Sequence, residues 1–372
     1  MNQPVPVRFL ALDVFRGLTI CFMIIVNTGG PNAFPELLHA EWNGFTLTDL
    51  VFPSFLFAVG NAISFSTSKW DQQSTGSVVA KIVKRTVLLF LIGYLMYWLP
   101  FVKVDAQNHI QSFPIAETRI FGVLQRIALC YGIGALIIYF CPRKTILFTC
   151  AGLLLGYWLL ATVFGDYTLN GAAATKLDIL TLTPPHLYKK GPENAFDPEG
   201  LLSTLPAIVN VLIGYLAGTH IKKNPKSYQM LALLAIAGFL LLSLGYLWNL
   251  SFPINKKLWT SSFVCLTTGL DCLIIATILY VVDFKGKRAG VTFFEVFGKN
   301  ALFIYLLSEV VPILLSSFYT ADRRPFFKYL YDTTFGQLGT GHIPSLLWSL
   351  SFMLFCWLAG YVLYKRKIFI RL

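Results

Sequence analysis

The sequence predicts an all-α polytopic membrane protein with about ten transmembrane helices in one bundle. Of its 372 residues, 56% are hydrophobic and 13% are charged, and the mean hydropathy is +0.64. A soluble domain has about 25% charged residues, so this composition excludes an ordinary soluble protein. The apolar residues also occur in runs of about 20, the length that an α-helix needs to cross about 30 Å of hydrocarbon.

Ten runs of this kind are predicted to be membrane-spanning helices. The predicted spans cover residues 9–26, 49–66, 86–102, 120–140, 145–164, 201–219, 229–250, 259–282, 294–315 and 343–364. No low-complexity linker and no internal repeat separates them, so we interpret residues 1–372 as a single transmembrane domain.

The distribution of Lys and Arg predicts the orientation, because basic segments are retained on the cytoplasmic side of a membrane. With the N-terminus inside, cytoplasmic segments carry 17 of the 30 basic residues and outer segments carry 10. The first connecting segment, residues 27–48, has no Lys or Arg and is predicted to lie outside. We therefore expect both termini in the cytoplasm. The net charge of +12 then reflects topology, and no nucleic-acid partner is expected.

Charged side chains inside spans indicate a hydrated passage, since each costs about 3 kcal/mol unless it is paired or wetted. Asp13 and Arg16 are three residues apart and share one helix face, which allows an ion pair. Arg126, Asp271 and Lys299 fall at other depths. A passage of this kind fits a transporter as well as an enzyme.

The cysteines and histidines predict neither disulfides nor a metal site. All seven cysteines lie in or at the edge of predicted spans, without a Cys-x-x-Cys pair. The five histidines have no spacing typical of metal ligands. We therefore expect the cysteines to be core residues.

The first connecting segment is unusually rich in chemistry for a link between two helices. It contains Asn27, His39 and Trp42, and Asp49 follows directly after it. Each has a structural alternative: a solvated histidine, an Asn27 that caps the first helix, an Asp49 that is the N-cap of the second helix, and an interfacial tryptophan.

Eight blocks along the chain resemble the heparan-α-glucosaminide N-acetyltransferases and their bacterial relatives. Their order and spacing carry the resemblance, which covers nearly the whole chain. The blocks are residues 12–17 (LDVFRG), 26–30 (VNTGG), 39–46 (HAEWNGFT), 49–53 (DLVFP), 122–127 (GVLQRI), 197–204 (DPEGLLST), 255–262 (NKKLWTSS) and 298–302 (GKNAL).

This resemblance implies transfer of an acetyl group from cytoplasmic acetyl-CoA to the amine of a glucosamine on the far side of the membrane. The family's active-site histidine matches His39, and its neighbouring functional asparagine matches Asn27. An imidazole is a suitable base for an attacking amine, and an amide donor can stabilise the oxyanion of the thioester. Alternatively, His39 itself carries the acetyl group; we prefer direct transfer, because an acyl-imidazole open to water would hydrolyse.

The remaining site predictions concern the two substrates. Asp49, Trp42 and Glu199 are predicted to bind the sugar, with orientation of His39 as an equal alternative for Asp49. Arg16 and Lys299 are predicted to reach the phosphates of acetyl-CoA from the cytoplasmic half, where Asn300 is a further predicted contact. Arg126, in the outer half, is predicted to contact the pantetheine arm or the substrate.

Location and alternative functions follow from the same comparison. The lysosomal members have a luminal N-terminal domain and an additional first helix that this sequence lacks, so we expect the bacterial inner membrane, with lipid as a further partner. A homodimer is left open. An O-acyltransferase for a cell-envelope glycan and a secondary transporter are the alternative functions; a transporter would need neither acetyl-CoA nor His39.

Overall fold

The computed structural model describes residues 9–104, 110–191 and 194–370. Within these ranges the chain forms thirteen α-helices. Their bounds are α1 Leu10–Asn27, α2 Leu47–Trp70, α3 Thr75–Trp98, α4 Val123–Phe140, α5 Arg143–Phe164, α6 Ala173–Leu182, α7 Thr204–Lys223, α8 Tyr228–Trp248, α9 Ser261–Leu279, α10 Val291–Lys299, α11 Ala301–Ser316, α12 Phe326–Thr333 and α13 His342–Lys365. A π-helical turn, Tyr280–Phe284, continues α9.

A short hairpin is the one sheet in the described part of the chain. Its strands, β1 (Val102–Val104) and β2 (Ile110–Ser112), are antiparallel, and Val102 pairs with Ser112. The all-α prediction is therefore confirmed.

Eight described helices are long and apolar enough to cross a membrane: α1, α2, α4, α5, α7, α8, α9 with its π-helical turn, and α13. The pair α10 and α11 adds a ninth if it is counted as one span. Many large apolar side chains on α5, α8 and α13 are exposed, as expected for surfaces that contact lipid. The protein is an integral membrane protein.

The predicted ninth span, residues 294–315, is wrong as a single helix. The chain bends by 80° between α10 and α11. The break lies at Asn300, whose backbone leaves the helical region (φ −119°, ψ 39°). Its side chain hydrogen-bonds the C-terminal backbone, with Nδ2 donating to Ile368 O at 3.1 Å and Oδ1 accepting from Ile370 N at 3.0 Å. A hydropathy window cannot detect such a break, since the flanking residues are apolar.

The predicted third span, residues 86–102, has the wrong bounds. The helix α3 begins at Thr75, where the Ser74 side chain accepts a hydrogen bond from Ser77 N. Its early turns contain Lys81, Lys84 and Arg85. Because these residues are charged, the apolar run begins only after them, and the predicted span therefore starts too late.

The bundle has two ends, which we name by the chain segments they carry. The loop face is the end at which α1 ends and α2 begins; there Asn43 Oδ1 accepts from Asn255 Nδ2 at 3.2 Å and Asn32 Nδ2 donates to Thr340 O at 3.1 Å. The terminal face is the opposite end, where α1 begins and α13 ends. The residues predicted to form the site lie at both ends of the bundle, with His39 and Asp49 at the loop face and Arg16 and Lys299 at the terminal face.

Glycines allow the central helices to approach closely. A Cβ on Gly60 of α2 would lie 1.9 Å from Val211 O of α7, and one on Gly214 would lie 2.1 Å from Phe57 O. A Cβ on Gly17 of α1 would meet the backbone of α10. Helices in a membrane gain no hydrophobic driving force from association, because lipid tails are as apolar as their side chains. They associate through close packing, which small residues allow. This packing fixes α1 and α2, which flank the first connecting segment.

Candidate active site

The first connecting segment positions a histidine and a carboxylate against each other. His39 Nδ1 donates to Asp49 Oδ1 at 2.8 Å. The other oxygen of Asp49 accepts from Thr46 N at 3.0 Å and Ala40 N at 3.2 Å. The expected N-cap role of Asp49 is wrong, because the N-cap is Thr46 and Asp49 is the third residue of a reciprocal capping box. The cap fixes the carboxylate, which can then orient the ring.

This arrangement selects one form of the imidazole. A carboxylate that accepts from Nδ1 favours the tautomer with the proton on Nδ1, which leaves a lone pair on Nε2. The His39 side chain is 47% exposed, whereas that of Asp49 is 1% exposed. A buried carboxylate therefore holds a ring that a substrate can reach from the loop face.

Lys256 completes this group, and the sequence analysis did not assign it a role. Its Nζ lies 3.0 Å from Nδ1 and 3.2 Å from Nε2 of His39, and 3.7 Å from Asp49 Oδ1. The hydrogen bond between Asn255 and Asn43 fastens its loop to the first connecting segment. The only available signal was its position inside the resemblance block 255–262. We call His39, Asp49 and Lys256 the His39 cluster.

Burial and charge act in opposite directions on Lys256. Burial lowers the pKa of Lys256 below its ordinary value, while the negative charges of Asp49 and Glu199 oppose that shift. The neighbouring Lys257 lowers it further. The side chain is 18% exposed, so these interactions are less screened than at an open surface.

A second group at the loop face, the Arg119 cluster, contains Arg119, Asp197, Glu199 and Tyr97. The guanidinium of Arg119 donates to Asp197 at 2.8 and 2.6 Å, to Glu199 Oε2 at 2.5 Å and to Tyr97 Oη at 3.3 Å. Burial lowers the pKa of Arg119, but the hydrogen bond to Asp197 and the charge of Glu199 outweigh it and raise the pKa above the ordinary value. The electrostatic interaction of Glu199 with Lys256 connects the two clusters.

Asn27 lies at the same end of the bundle and contacts an acidic residue of α11. Its Nδ2 donates to Glu309 Oε1 at 3.1 Å. Among the described residues, no hydrogen bond joins Asn27 to His39. The structure therefore brings Asn27 to α11 and not to the imidazole.

Trp42 fastens the first connecting segment to the loop between α5 and α6. Its Nε1 donates to Tyr167 O at 2.9 Å, its ring packs edge-on against Phe196 at 5.8 Å, and Lys257 Nζ lies 5.7 Å from the ring centroid. The indole N–H is thus engaged by the protein.

A cavity of about 760 Å³ extends into the bundle from the terminal face. Its wall includes the basic side chains of Arg16, Arg85 and Lys299, and the C-terminal residues Phe369 and Ile370. Most of the remaining wall is formed by apolar residues of α1, α2, α4 and α11. The cavity thus combines an apolar interior with cationic groups, which suits a long ligand with an anionic end.

The basic groups of this cavity also make contacts within the protein. Arg16 lies 3.7 Å from Asp13, as the expected ion pair requires, and donates to Gly298 O at 3.2 Å. Lys299 pairs with Glu295 at 2.7 Å. The guanidinium of Arg85, which the sequence analysis did not single out, lies 4.7 Å from the ring of Tyr131. An anionic ligand would meet side chains that are already oriented.

Two of the residues predicted to bind acetyl-CoA do not line this cavity. Arg126 is buried beside Trp259, 5.0 Å from its ring, and donates to Gly200 O at 3.0 Å and to Ser203 Oγ. Asn300 is used by the C-terminal backbone. Both support neighbouring segments, whereas Arg16 and Lys299 face the cavity.

One helix joins the cavity to the loop face. Tyr305 of α11 lines the cavity, and Glu309, four residues later on the same helix face, binds Asn27. His39 is not among the residues that line the cavity. In the part of the chain that the structure describes, no group of three or more His, Cys, Asp or Glu side chains is arranged to hold a metal ion.

Comparison with known proteins finds sequence similarity over nearly the whole chain. The family model described as heparan-alpha-glucosaminide N-acetyltransferase, catalytic, matches residues 8–248. The human heparan-alpha-glucosaminide N-acetyltransferase is 29% identical, with 98% of this chain and 60% of that protein covered. The mouse protein of the same name is 30% identical, with 97% and 60% covered. The chain therefore spans about three fifths of the length of these curated relatives.

Proposed function

Because the chain belongs to the heparan-alpha-glucosaminide N-acetyltransferase family, we propose that it transfers an acetyl group from acetyl-CoA to the amine of a glucosamine-type sugar. One observation carries the proposal. An exposed imidazole, held by a buried carboxylate, lies at the opposite end of the bundle from a cavity with a basic wall. This arrangement provides separate approaches for an acceptor and a donor.

The terminal-face cavity is the proposed donor site. Its volume of about 760 Å³ lies within the range of about 300–1,000 Å³ found for ligand pockets. Arg16, Arg85 and Lys299 would contact the phosphates of acetyl-CoA. The apolar interior would surround the pantetheine arm, which extends towards Tyr305 and the loop face.

The acceptor would approach from the loop face. The neutral amine attacks the carbonyl carbon of the thioester, and His39 Nε2 takes the proton that the nitrogen must lose. The carbon–sulfur bond then breaks, and the proton passes to the leaving thiolate. Asp49 stabilises the imidazolium that exists between these steps.

We propose direct transfer and not an acetyl-histidine intermediate. His39 is about half exposed, so an acetyl group on Nε2 would be open to attack by water. Trp42 and Glu199, which lie at the same end of the bundle, remain proposed contacts of the sugar. The loop face would be extracytoplasmic, in agreement with the excess of basic residues on the other side.

A transfer assay with purified protein tests this function. Labelled acetyl-CoA and glucosamine should give N-acetylglucosamine with the wild type, and His39→Ala should lower the rate by about 10²- to 10⁴-fold. His342→Ala is the matched control, because His342 is another loop-face histidine, bonded to the backbone of Asn32.

The outcomes of this assay separate the alternatives. No acetylated sugar with the wild type, or full activity in His39→Ala, would contradict the proposal. Label that accumulates on the protein before acceptor is added would replace direct transfer with the two-step route.

A further inference from the structure

The mechanism above needs a group that stabilises the negative charge formed when the amine attacks the thioester. When the amine attacks, electrons of the carbonyl bond move to oxygen, and the tetrahedral intermediate carries an oxyanion. Asn27, the amide expected to stabilise it, donates to Glu309, and among the described residues no hydrogen bond joins it to His39. A donor for the oxyanion is therefore needed close to Nε2 of His39, where the attacking amine loses its proton.

Lys256 is such a donor. We propose that the ammonium group of Lys256 binds and stabilises the oxyanion of the tetrahedral intermediate, an inference that rests on the acetyl transfer proposed above. It would touch the reacting atoms and act beside His39 as a second catalytic residue.

The distances support this assignment. Nζ of Lys256 lies 3.2 Å from Nε2 of His39, so a tetrahedral carbon whose nitrogen faces Nε2 would hold its oxygen within reach of the same ammonium. An ammonium has three N–H donors that can rotate. The ion pair with Asp49 restrains the lysine. Because Nδ1 of His39 carries its own proton, it accepts no hydrogen bond from the ammonium, which keeps a donor for the substrate oxygen.

The surroundings favour a strong interaction. The Lys256 side chain is mostly buried, and the attraction between opposite charges increases as water is excluded. Asp49 and Glu199 stabilise the ammonium form, while burial and Lys257 oppose it. Because the cation is in place before reaction, little reorganisation is needed when the oxyanion forms.

The step balances without consuming the lysine proton. The new carbon–nitrogen bond forms as the carbonyl electrons move to oxygen, and the amine proton moves to Nε2 of His39. The intermediate then collapses, the carbon–sulfur bond breaks, and the thiolate receives the proton from Nε2. Lys256 is protonated throughout and contributes only charge and a hydrogen bond.

Lys256→Met tests the inference, because methionine keeps an unbranched side chain and removes the charge. We expect kcat to fall by about 100- to 1,000-fold, the range for loss of one oxyanion donor, with KM for both substrates within about threefold of the wild type. Lys257→Met is the matched control. That neighbouring ammonium contacts Glu41 O and lies over Trp42, so its kcat should stay within about threefold of the wild type.

Binding of acetyl-CoA, measured by the thermal shift that it produces, shows whether Lys256→Met is folded. Lys256→Gln provides a second neutral variant and should match the methionine variant. A kcat within tenfold of the wild type in a folded neutral variant, or a loss confined to KM, would overturn the inference. If the proposed function itself is wrong, the wild type will form no N-acetylglucosamine. This result differs from a failure of the Lys256 inference, in which the wild type is active.

Discussion

The two ends of the bundle hold their polar groups in different ways. At the loop face, side chains from distant segments bind one another: His39 and Lys256 are 217 positions apart and in contact. At the terminal face, packed helices enclose a cavity, and the basic groups of Arg16 and Lys299 pair with acidic residues three and four positions away.

Under the proposed function, the reaction takes place at the loop face and acetyl-CoA binds at the terminal face. Contacts between loops can place a base, a carboxylate and an ammonium within 4 Å of one another, as a reaction requires. A helical wall offers space and charge to a long ligand with less demand on geometry. Changes at the loop face should therefore affect kcat, and changes at the terminal face should affect donor affinity.

The largest effect is expected from Asp49→Asn. The amide can donate to Nδ1 of His39, which would favour the wrong tautomer, so kcat should fall by about 10²- to 10⁴-fold. Steady-state kinetics measures this effect. Thr46→Ser, which keeps the cap, should retain activity; a kcat of Asp49→Asn within tenfold of the wild type would contradict the proposed role.

A smaller effect is expected at the terminal face. Arg16→Gln and Arg85→Gln each remove a charge from the cavity wall, and loss of one charged contact to phosphate costs about 1.5–3 kcal/mol. KM for acetyl-CoA should rise at least about tenfold, with kcat and KM for the sugar little changed. Arg143→Gln removes an exposed cation at the same end and is the control. If Arg16→Gln or Arg85→Gln changed kcat alone, the proposed division between reaction at the loop face and donor binding at the terminal face would be wrong.

The third prediction concerns the C-terminal segment that forms part of the cavity wall. Asn300→Ala removes both hydrogen bonds to the backbone around Phe369, so the wall should loosen and the affinity for acetyl-CoA should fall about three- to tenfold. Trypsin should also cleave at Lys367 faster than in the wild type. Asn224→Ala, at another terminal-face turn, should change neither; equal cleavage rates for Asn300→Ala and the wild type would exclude this tether.

The last prediction concerns the loop-face scaffold, where the expected change is in stability with pH and not in activity. Burial raises the pKa of Asp178 from 3.8 to about 7. The unfolded chain therefore loses this proton at lower pH than the folded protein, and the free energy of unfolding should decrease as pH rises from about 4 to 7, by at most about 1.4 kcal/mol per unit. Above pH 7 this contribution should be constant.

Thermal melting of the purified protein between pH 5 and pH 8 measures this dependence. Asp178→Asn should remove the decrease, and the exposed Asp322→Asn should retain it. A decrease of the same size in Asp178→Asn would assign it to other groups.

Much of the fold could be predicted because its signals are local. Runs of apolar residues identify membrane helices, and the Asp13 and Arg16 pair follows from their spacing on one helix. The break at Asn300 could not be predicted, because it depends on the backbone of residues 368 and 370. The start of α3 was misplaced because its first turns are basic.

The candidate site shows the same contrast between local signals and long-range contacts. His39 and Asp49 could be proposed from the sequence because they lie ten positions apart at a chemically unusual link and because His39 matches the family's histidine. The Asp49 carboxylate does contact the ring. Lys256 was missed as a site residue, because one lysine in a loop has no distinctive pattern. Arg126 and Asn300 were expected to bind acetyl-CoA because they are polar residues inside predicted spans, but a position within a span does not determine which way a side chain points.

The sequence by itself determined an integral membrane bundle, its family and the histidine-bearing segment, because hydropathy and motif order are properties of neighbouring residues. Only the tertiary structure decided that Lys256 joins His39, that Asn27 joins Glu309, and that Arg85 lines the same cavity as Arg16. These contacts join residues remote in the chain, and their free energy arises only when packing has removed water and fixed the distance between them.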